Sequence, residues 1–377
     1  MRILHTGDWH IGVTRWGIDR TEEIFSSLEF IIKIIEEEKI DVVLVAGDIF
    51  DHRMPKGEDL NRTTKILQRM SEDGRLVIAI TGNHDWSDLA SGINTFSSLV
   101  NVHLFTEIGM QVYTTRKGET LRIGTFPYLA ERNFLYLGRE ERKEDLGRSL
   151  QDIFNDINSR FLPDTVNIFL AHTFIEGAIL GSAMKLSFAS HFALPPSWLP
   201  NRAHYIALGH AHKAQKMDGS PAPAYYCGSI IRVDFSEAND KKGVYIIDAT
   251  PDRSANIEMI EIPVKELMEL EFKSSQLESK SILVKDFDGF IKAKVILDTP
   301  EINPISRIKQ AMPNCVEVEV LEDYTSKGTD KRVDLSKDPS ELFSQYLSLK
   351  EERVDEDVIR LFRELYMEAS INADIEH

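Results

Sequence analysis

Short apolar segments alternate with amphipathic ones along the first eighty residues. The runs at 2–6, 42–46 and 76–80 are mostly aliphatic, and each is followed closely by glycine or aspartate, which is typical of buried strands. Apolar side chains recur at helical spacing through residues 24–35, and a second helix is predicted at about 58–70. This alternation predicts parallel strands joined by crossover helices.

The later part of the chain predicts a second sheet and then a change of architecture. Strand-like runs at 166–170, 205–208, 224–227 and 243–247 predict a sheet packed on the first. Beyond a boundary near Pro263, residues 293–297 and 316–320 alternate between apolar and polar, as strands with one solvated face do. With a helix predicted at 305–311, this part is interpreted as a small α/β satellite domain.

The tail combines a polar stretch at 324–332, interpreted as a linker, with two short amphipathic helices at about 339–349 and 356–367. A helical pair of this size cannot bury both of its apolar stripes. We therefore expect it to dock on another surface.

Composition limits the class of protein. The 377 residues and 42% hydrophobic content suggest two or three domains with a sizeable core, and the sequence contains no uninterrupted apolar run of membrane-spanning length. Only Cys227 and Cys315 are present and the N-terminal pattern is not that of a signal peptide, so the cytoplasm is the expected location. The net charge of −17 argues against nucleic-acid binding, although it does not exclude a locally basic face.

Polar clusters follow five of the apolar runs, in one order along the chain. They are Asp8-Trp9-His10, Gly47-Asp48, Gly82-Asn83-His84-Asp85, Ala171-His172 and Gly209-His210-Ala211-His212. Because ligands bind at the carboxyl ends of strands in open α/β sheets, we expect these loops to converge. Each cluster alone is typical of a turn or a core histidine, but the ordered set supplies enough donors for two metal ions, the machinery of phosphate-ester hydrolysis.

The spacing within the clusters adds detail. If the segments are extended, residues two apart point the same way, which would direct Asp8 with His10, and His210 with His212, toward one ion. Asp48 is the natural bridging ligand, since one carboxylate can give an oxygen to each ion. Mixed imidazole and carboxylate donors permit Mn, Fe or Zn. Trp9 and Trp86, which flank the motifs, are expected to pack beneath loops.

The ordered clusters resemble the calcineurin-like metallophosphoesterase superfamily, and more closely the SbcD/meiotic-recombination-eleven group of DNA double-strand-break repair nucleases. Segments 5–12, 207–212, 227–235 and 338–343 carry the closer resemblance. It implies an α+β fold with a β-sandwich flanked by helices. It also implies a nuclease domain at 1–263, a DNA-gripping capping domain at 264–323, a linker at 324–335, and a helix-loop-helix at 336–370 that binds an SbcC-type coiled-coil ATPase.

The same resemblance assigns the site. It implies one metal held by Asp8, His10, Asp48 and His212, and another held by Asp48, Asn83, His172 and His210, with manganese as the ion. It gives His84 a phosphate-contacting or proton-donating role. Asp85 is expected either to orient the ring of His84 or to form the turn.

The resemblance further implies a homodimer with 3′–5′ exonuclease and single-strand endonuclease activity on broken DNA ends, associated with the nucleoid in a prokaryote. One departure is Asp51, which stands where many members of the group have a histidine linked to exonuclease chemistry. His52, one position later, is interpreted as a solvated loop residue.

Two other functions remain open from the sequence. A phosphodiesterase for small molecules would carry similar core motifs, although it has no evident use for the satellite domain and the helical pair. A catalytically silent scaffold for the ATPase is the second alternative, against which the complete ligand set argues.

Overall fold

The computed structural model describes residues 1–85, 101–129, 140–179, 193–299 and 301–322, together with positions 343, 344, 347, 358–363 and 365. The chain consists of two compact units, Met1–Glu322 and Asp323–His377.

The strands and helices of the first unit are numbered in chain order. The strands are β1 Arg2–Thr6, β2 Thr14–Arg15, β3 Ile18–Asp19, β4 Val42–Val45, β5 Leu76–Ile80, β6 Val102–Phe105, β7 Gly109–Thr114, β8 Thr120–Phe126, β9 Val166–His172, β10 Tyr205–Gly209, β11 Gln215–Lys216, β12 Ala224–Tyr226, β13 Gly243–Thr250, β14 Arg253–Glu261, β15 Glu266–Lys273, β16 Gly289–Leu297 and β17 Cys315–Glu322. The helices are α1 Thr21–Glu37, α2 Gly57–Met70, α3 Glu140–Ser159, α4 Leu277–Leu283 and α5 Pro304–Ala311.

Two six-stranded sheets form the body of this unit. The first has the order β14-β13-β1-β4-β5-β6 and the second the order β11-β12-β10-β9-β8-β7. Strands β1, β4, β5 and β6 are parallel, as predicted for the first three from the β–α–β pattern. In the second sheet β8, β9, β10 and β12 are parallel, while the edge strands β7 and β11 are antiparallel to their neighbours.

The sheets pack face to face, and helices cover their outer faces. Ile3 and Leu44 of the first sheet meet Ile168 of the second in one apolar core. The neighbouring residues of the first sheet point the other way and pack on α1 and α2, while the outer face of the second sheet packs on the C-terminal half of α3. The predicted β-sandwich flanked by helices is therefore confirmed.

A separate three-stranded parallel sheet, β15-β16-β17, follows β14. One face of this sheet packs on α5 and forms a separate core, which contains Phe272 of β15, Val295 of β16 and Ile308 of α5. The residues of β16 alternate strictly between buried and half-buried, which confirms the predicted strand with one solvated face. Trp16, in the turn between β2 and β3, packs between Phe235 and Phe290, with ring centroids 4.8 and 5.7 Å away, and so joins this sheet to the sandwich.

The second unit is described at a few positions, all of them helical. The rings of Phe343 and Phe362 stack with centroids 4.4 Å apart, so two helical segments contact each other through their apolar sides. The linker predicted at 324–332 lies outside the described residues. Among the residues described, no helix has both the length and the apolar character needed to cross a bilayer.

Candidate metal centre

The carboxyl ends of five parallel strands, drawn from both sheets, carry the polar clusters. Asp8 follows β1, Asp48 follows β4 and Asn83 follows β5, whereas His172 ends β9 and His210 directly follows β10. The edge where these strands end is therefore shared by the two sheets, and residues separated by up to two hundred positions meet there.

The backbone of this edge is unusual. Asp8, His10, Asp48 and His210 all have positive φ angles, of 48°, 51°, 49° and 104°, a region that non-glycine residues rarely occupy. The Asp8-x-His10 segment is therefore not extended, and the alternation of side chains in a strand does not apply to it. Backbone bonds of 3.0 Å from Asp8 N to Gly47 O and from His10 N to Asp48 O bind the first two loops together instead, and such bonds hold strained conformations at functional sites.

One group of donors surrounds His10. Its Nε2 lies 3.0 Å from Nε2 of His212 and 3.7 Å from Oδ2 of Asp48. The carboxylate of Asp8 accepts the backbone N–H of His210 at 3.0 and 3.1 Å, which ties the β1 loop of one sheet to the β10 loop of the other.

A second group surrounds Asn83. His172 donates Nδ1–H to the carbonyl of Ala46 at 2.7 Å, so in the neutral ring Nε2 carries the lone pair. That Nε2 lies 3.0 Å from Asn83 Oδ1 and 3.4 Å from Asp48 Oδ2. Nδ1 of His210 lies 3.0 Å from the same Asn83 oxygen.

These contacts fit cation ligation better than hydrogen bonding alone. In its neutral form the Nε2 of His172 faces two oxygens that also accept, and electron pairs brought together in this way require a cation or extra protons between them. Two ligand-bearing groups, His10/Asp48/His84 and Asp48/His172/His210, each have their donor atoms within 4.8 Å of one another. Both contain Asp48, and the carboxylate, amide and imidazole donors suit divalent cations.

The charges of the site depend on one another. Burial alone would raise the pKa of Asp48, but the facing histidines, His172 first among them, hold it well below its usual value. Burial, together with the neighbouring Asp48, raises the pKa of Asp8. Burial disfavours the charged form of His172, yet Asp48 raises its pKa to about 9. A proton on His172 thus balances the Asp48 carboxylate without metal, and a bound cation would displace it.

Two glycines give the loops room to approach each other. Gly47 has φ +87°, and a Cβ on it would lie 2.4 Å from Nδ1 of His172. A Cβ on Gly82 would lie 2.1 Å from Oδ1 of Asp48. Neither position can carry a side chain without displacing a donor of the site.

The rim of the site is formed by the segment that follows β5. The half-buried His84 contacts His10 edge to face, with ring centroids 4.9 Å apart, and its Nδ1 donates to the carbonyl of Asp51 at 2.8 Å. Of the two roles expected for Asp85, the bond to the ring of His84 is made by the backbone carbonyl of Asp51 instead. Asp85 instead accepts from the backbone N–H groups of Ile49, Phe50 and Gly82 at 3.2, 3.0 and 2.9 Å, and so links the β4 and β5 loops.

Other predicted residues occupy simpler positions. Trp9 is fully buried and donates to Thr6 Oγ1 at 3.0 Å, which confirms its packing role, whereas Trp86 lies outside the described residues. The side chain of His52 is 68% exposed, as expected of a solvated loop residue.

Sequence reasoning missed a buried pair beside His212. Glu237 and Lys242 are 3% and 2% exposed, and Glu237 Oε1 lies 3.4 Å from Nδ1 of His212. The segment after 235 shows no metal-ligand spacing, and an acid–lysine pair is ordinary on a surface. Only the contact of that segment with His212, in the loop after β10, reveals the pair.

This arrangement defines a class of protein. The chain belongs to the calcineurin-like phosphoesterase family, whose model matches residues 1–214, and it is a metal-dependent hydrolase.

Three curated relatives share sequence with this chain over most of its length, and all three are SbcD subunits of SbcCD nucleases. The chain is 27% identical over 381 residues to the SbcD subunit of the nuclease SbcCD from Bacillus subtilis, with 97% of each chain covered. It is 25% identical over 377 residues to the protein of that name from Escherichia coli K12, covering 93% of this chain and 94% of that one. The Staphylococcus epidermidis protein of the same name is 22% identical over 316 residues, at 83% and 84% coverage. The likeness to these SbcD proteins thus extends over most of the chain.

Proposed function

We propose that this protein is a DNA nuclease that uses two divalent cations, manganese by preference, to hydrolyse phosphodiester bonds at broken DNA ends. The observation that carries the proposal is the convergence of donors from both sheets on Asp48. The near full-length likeness to the SbcD subunits of SbcCD nucleases supports DNA as the substrate.

The donors divide into two sets around Asp48. Asp8, His10 and His212 with Asp48 would hold one cation. Asn83, His172 and His210 with Asp48 would hold the other. Bound there, the pair would supply Lewis-acid activation of the scissile phosphate and of the attacking water.

His84 acts at the rim on the substrate itself. Because Nδ1–H is used on the Asp51 carbonyl at 2.8 Å, Nε2 is the atom left to meet the phosphate. From that atom a protonated ring can stabilise or protonate the leaving oxygen. Asp85 is a positioning residue, since its carboxylate links the β4 loop carrying Asp48 to the β5 loop carrying Asn83 and His84.

The remaining segments are proposed to serve partners and substrate. Residues 264–323 would cap the active site and help grip DNA, and the helices of the nuclease domain at 1–263 would form a homodimer. The helices at 336–370, beyond the linker at 324–335, would bind an SbcC-type coiled-coil ATPase. Deleting residues after Asp334 should abolish ATPase binding and spare cleavage; retained binding would place the contact elsewhere.

An assay on end-labelled duplex and hairpin DNA tests the function. With Mn²⁺ present, the protein should shorten 3′ ends stepwise and cleave single-stranded hairpin loops, and chelation should stop both reactions. A parallel assay on simple phosphodiesters is the control. Turnover of these without cleavage of DNA would show a small-molecule phosphodiesterase, and no turnover of either, with no bound metal, would show a scaffold.

A further inference from the structure

A buried ion pair lies directly behind the metal centre. Lys242 Nζ donates to Glu237 Oε2 at 2.7 Å, to Ser229 Oγ at 2.8 Å and to the carbonyl of His212 at 2.9 Å. All three ammonium protons are therefore used. Charged side chains so deeply buried are costly unless they are paired and fully hydrogen-bonded, so this network holds Glu237 in one orientation.

The orientation of Glu237 leaves one oxygen for His212. Besides Lys242, Oε2 accepts the backbone N–H of Val233 at 3.1 Å. The other oxygen, Oε1, faces the imidazole of His212, 3.4 Å from Nδ1. A short 3-10 helix at Phe235–Glu237, begun by Asp234 accepting from Ser236 N at 2.9 Å, fixes the backbone that carries the carboxylate.

A carboxylate at this place determines which nitrogen of His212 can bind a metal. An ionised carboxylate only accepts, so the imidazole proton belongs on Nδ1 and the lone pair on Nε2. Nε2 is the atom that lies 3.0 Å from Nε2 of His10 inside the centre. A carboxylate behind a metal-binding imidazole also makes that ligand more basic.

The same arrangement recurs on His10, whose Nδ1 lies 3.3 Å from Oδ1 of Asp51. His172 differs, because its Nδ1 donates to the neutral carbonyl of Ala46 at 2.7 Å. The two histidines assigned to one cation thus each have a carboxylate oxygen within 3.4 Å of Nδ1. For His172, assigned to the other, the carboxylate of Asp8 lies farther from Nδ1, at 3.9 Å.

We infer that Glu237 is a positioning residue that fixes the Nδ1-protonated form of His212 and strengthens it as a ligand, and that Lys242 holds Glu237 in place. The inference rests on the proposed function, in which His212 holds one of the two cations. A purely structural ion pair would stabilise the fold without influencing one cation more than the other.

The substitution Glu237→Gln distinguishes a role in positioning His212 from a purely structural role of the ion pair. The ammonium of Lys242 can only donate, so it keeps the amide oxygen of Gln at the position of Oε2 and turns the NH₂ group toward His212. Nδ1 would then accept, the proton would move to Nε2, and the ligand atom would be blocked. Lys242→Met breaks the same ion pair but leaves the carboxylate facing His212.

Calorimetric titration of the full-length metal-free protein with Mn²⁺ is the test, with thermal unfolding measured in parallel. Glu237→Gln should weaken one of the two binding events by about 10- to 100-fold and leave the other unchanged. Lys242→Met should weaken the same event by less than Glu237→Gln does, because the backbone N–H of Val233 still holds the carboxylate, and it should lower stability. Glu261→Gln is the matched control, since Glu261 is exposed and paired only with Lys241 among the described contacts.

Equal affinities in Glu237→Gln and wild type would overturn the inference, as would equal losses in Glu237→Gln and Lys242→Met. Failure of the wild type to bind Mn²⁺ would instead refute the proposed function. Should Glu237→Gln not fold, nitrogen NMR of histidines in the metal-free wild type decides. His212 protonated on Nδ1 supports the inference, and His212 protonated only on Nε2 contradicts it.

Discussion

The Nε2 atoms of His10 and His212 lie 3.0 Å apart, although the two residues are 202 positions apart in the chain. His10 belongs to the loop after β1 in the first sheet, and His212 to the loop after β10 in the second. Neither sheet alone supplies a complete set of donors. Metal binding should therefore require the assembled sandwich and should stabilise it in turn.

Replacing Asp48 tests the shared ligand. Asp48→Asn keeps the shape of the side chain and an oxygen that can accept from the backbone N–H of His84. Asn also tolerates the positive φ angle of this position well. It removes the charge that both cations would share. We expect Mn-dependent cleavage to fall by about 10³-fold or more, since metal ions supply several kcal/mol of charge stabilisation. An unchanged far-ultraviolet circular dichroism spectrum would show that the fold is intact, and wild-type cleavage would refute the assignment.

Replacing His84 tests a role on the substrate. His84→Ala should lower kcat by about 10²- to 10⁴-fold while Mn²⁺ stoichiometry, measured by titration, stays unchanged. The neighbouring His52→Ala is the matched control, because the side chain of His52 is 68% exposed. Since His84 also lies within ligand distance of His10 and Asp48, a loss of bound Mn²⁺ would show that it is a ligand instead.

Adding one methyl group at Gly82 tests how tightly the loops fit. The new Cβ would lie 2.1 Å from Oδ1 of Asp48, so either the carboxylate or the β5 loop must move. We expect Gly82→Ala to weaken Mn²⁺ binding at least about tenfold and to destabilise the protein by about 1–3 kcal/mol. Gly57→Ala is the control, because a Cβ there meets nothing within 4 Å. Equal metal affinity in both variants would contradict the packing argument.

The buried His5 predicts a pH dependence of stability. Its Nδ1 pairs with the hydroxyl of Tyr205 at 2.9 Å, and burial lowers its pKa from 6.5 to about 3. The unfolded chain takes up this proton first, so the contribution to stability is complete above pH 6.5 and is lost as the pH falls toward about 3.

Urea unfolding of the metal-free protein measures this dependence. Between about pH 5.5 and pH 4, the free energy of unfolding of the wild type should fall up to about 1.4 kcal/mol per pH unit more steeply than that of His5→Gln. Parallel slopes would show that His5 does not resist protonation in the folded state.

The sequence was most informative where a strand is buried on both faces. The short runs that became β1, β4 and β5 lie in the middle of the first sheet and pair in parallel with each other. Every residue of β4 and β5 is apolar, Ile3 and Leu4 form the apolar part of β1, and glycine or aspartate follows each strand closely. The carboxyl ends of parallel strands share an edge of the sheet. The positions of the polar clusters after these strands were therefore enough to predict that five residues lie close together, namely Asp8, Asp48, Asn83, His172 and His210.

Elements at edges and on the surface gave weaker signals. Strand β7 is mostly half-buried or exposed and carries no clear alternation, and the predictions did not include it, nor α3. The pattern of apolar and polar residues also did not predict the backbone conformation of the loops that carry the metal-ligand candidates. Hydrogen bonds between the β1 and β4 loops, not local preference, impose the positive φ angles of Asp8 and His10. Tertiary contacts likewise bring Glu237 to His212 and Asp51 to His84.

Anomalous diffraction at the manganese absorption edge, from crystals grown with Mn²⁺, would locate the cations themselves. We expect two peaks, one on each side of the Asp48 carboxylate, the first among Asp8, His10 and His212 and the second among Asn83, His172 and His210. A single peak, or peaks away from Asp48, would contradict this arrangement.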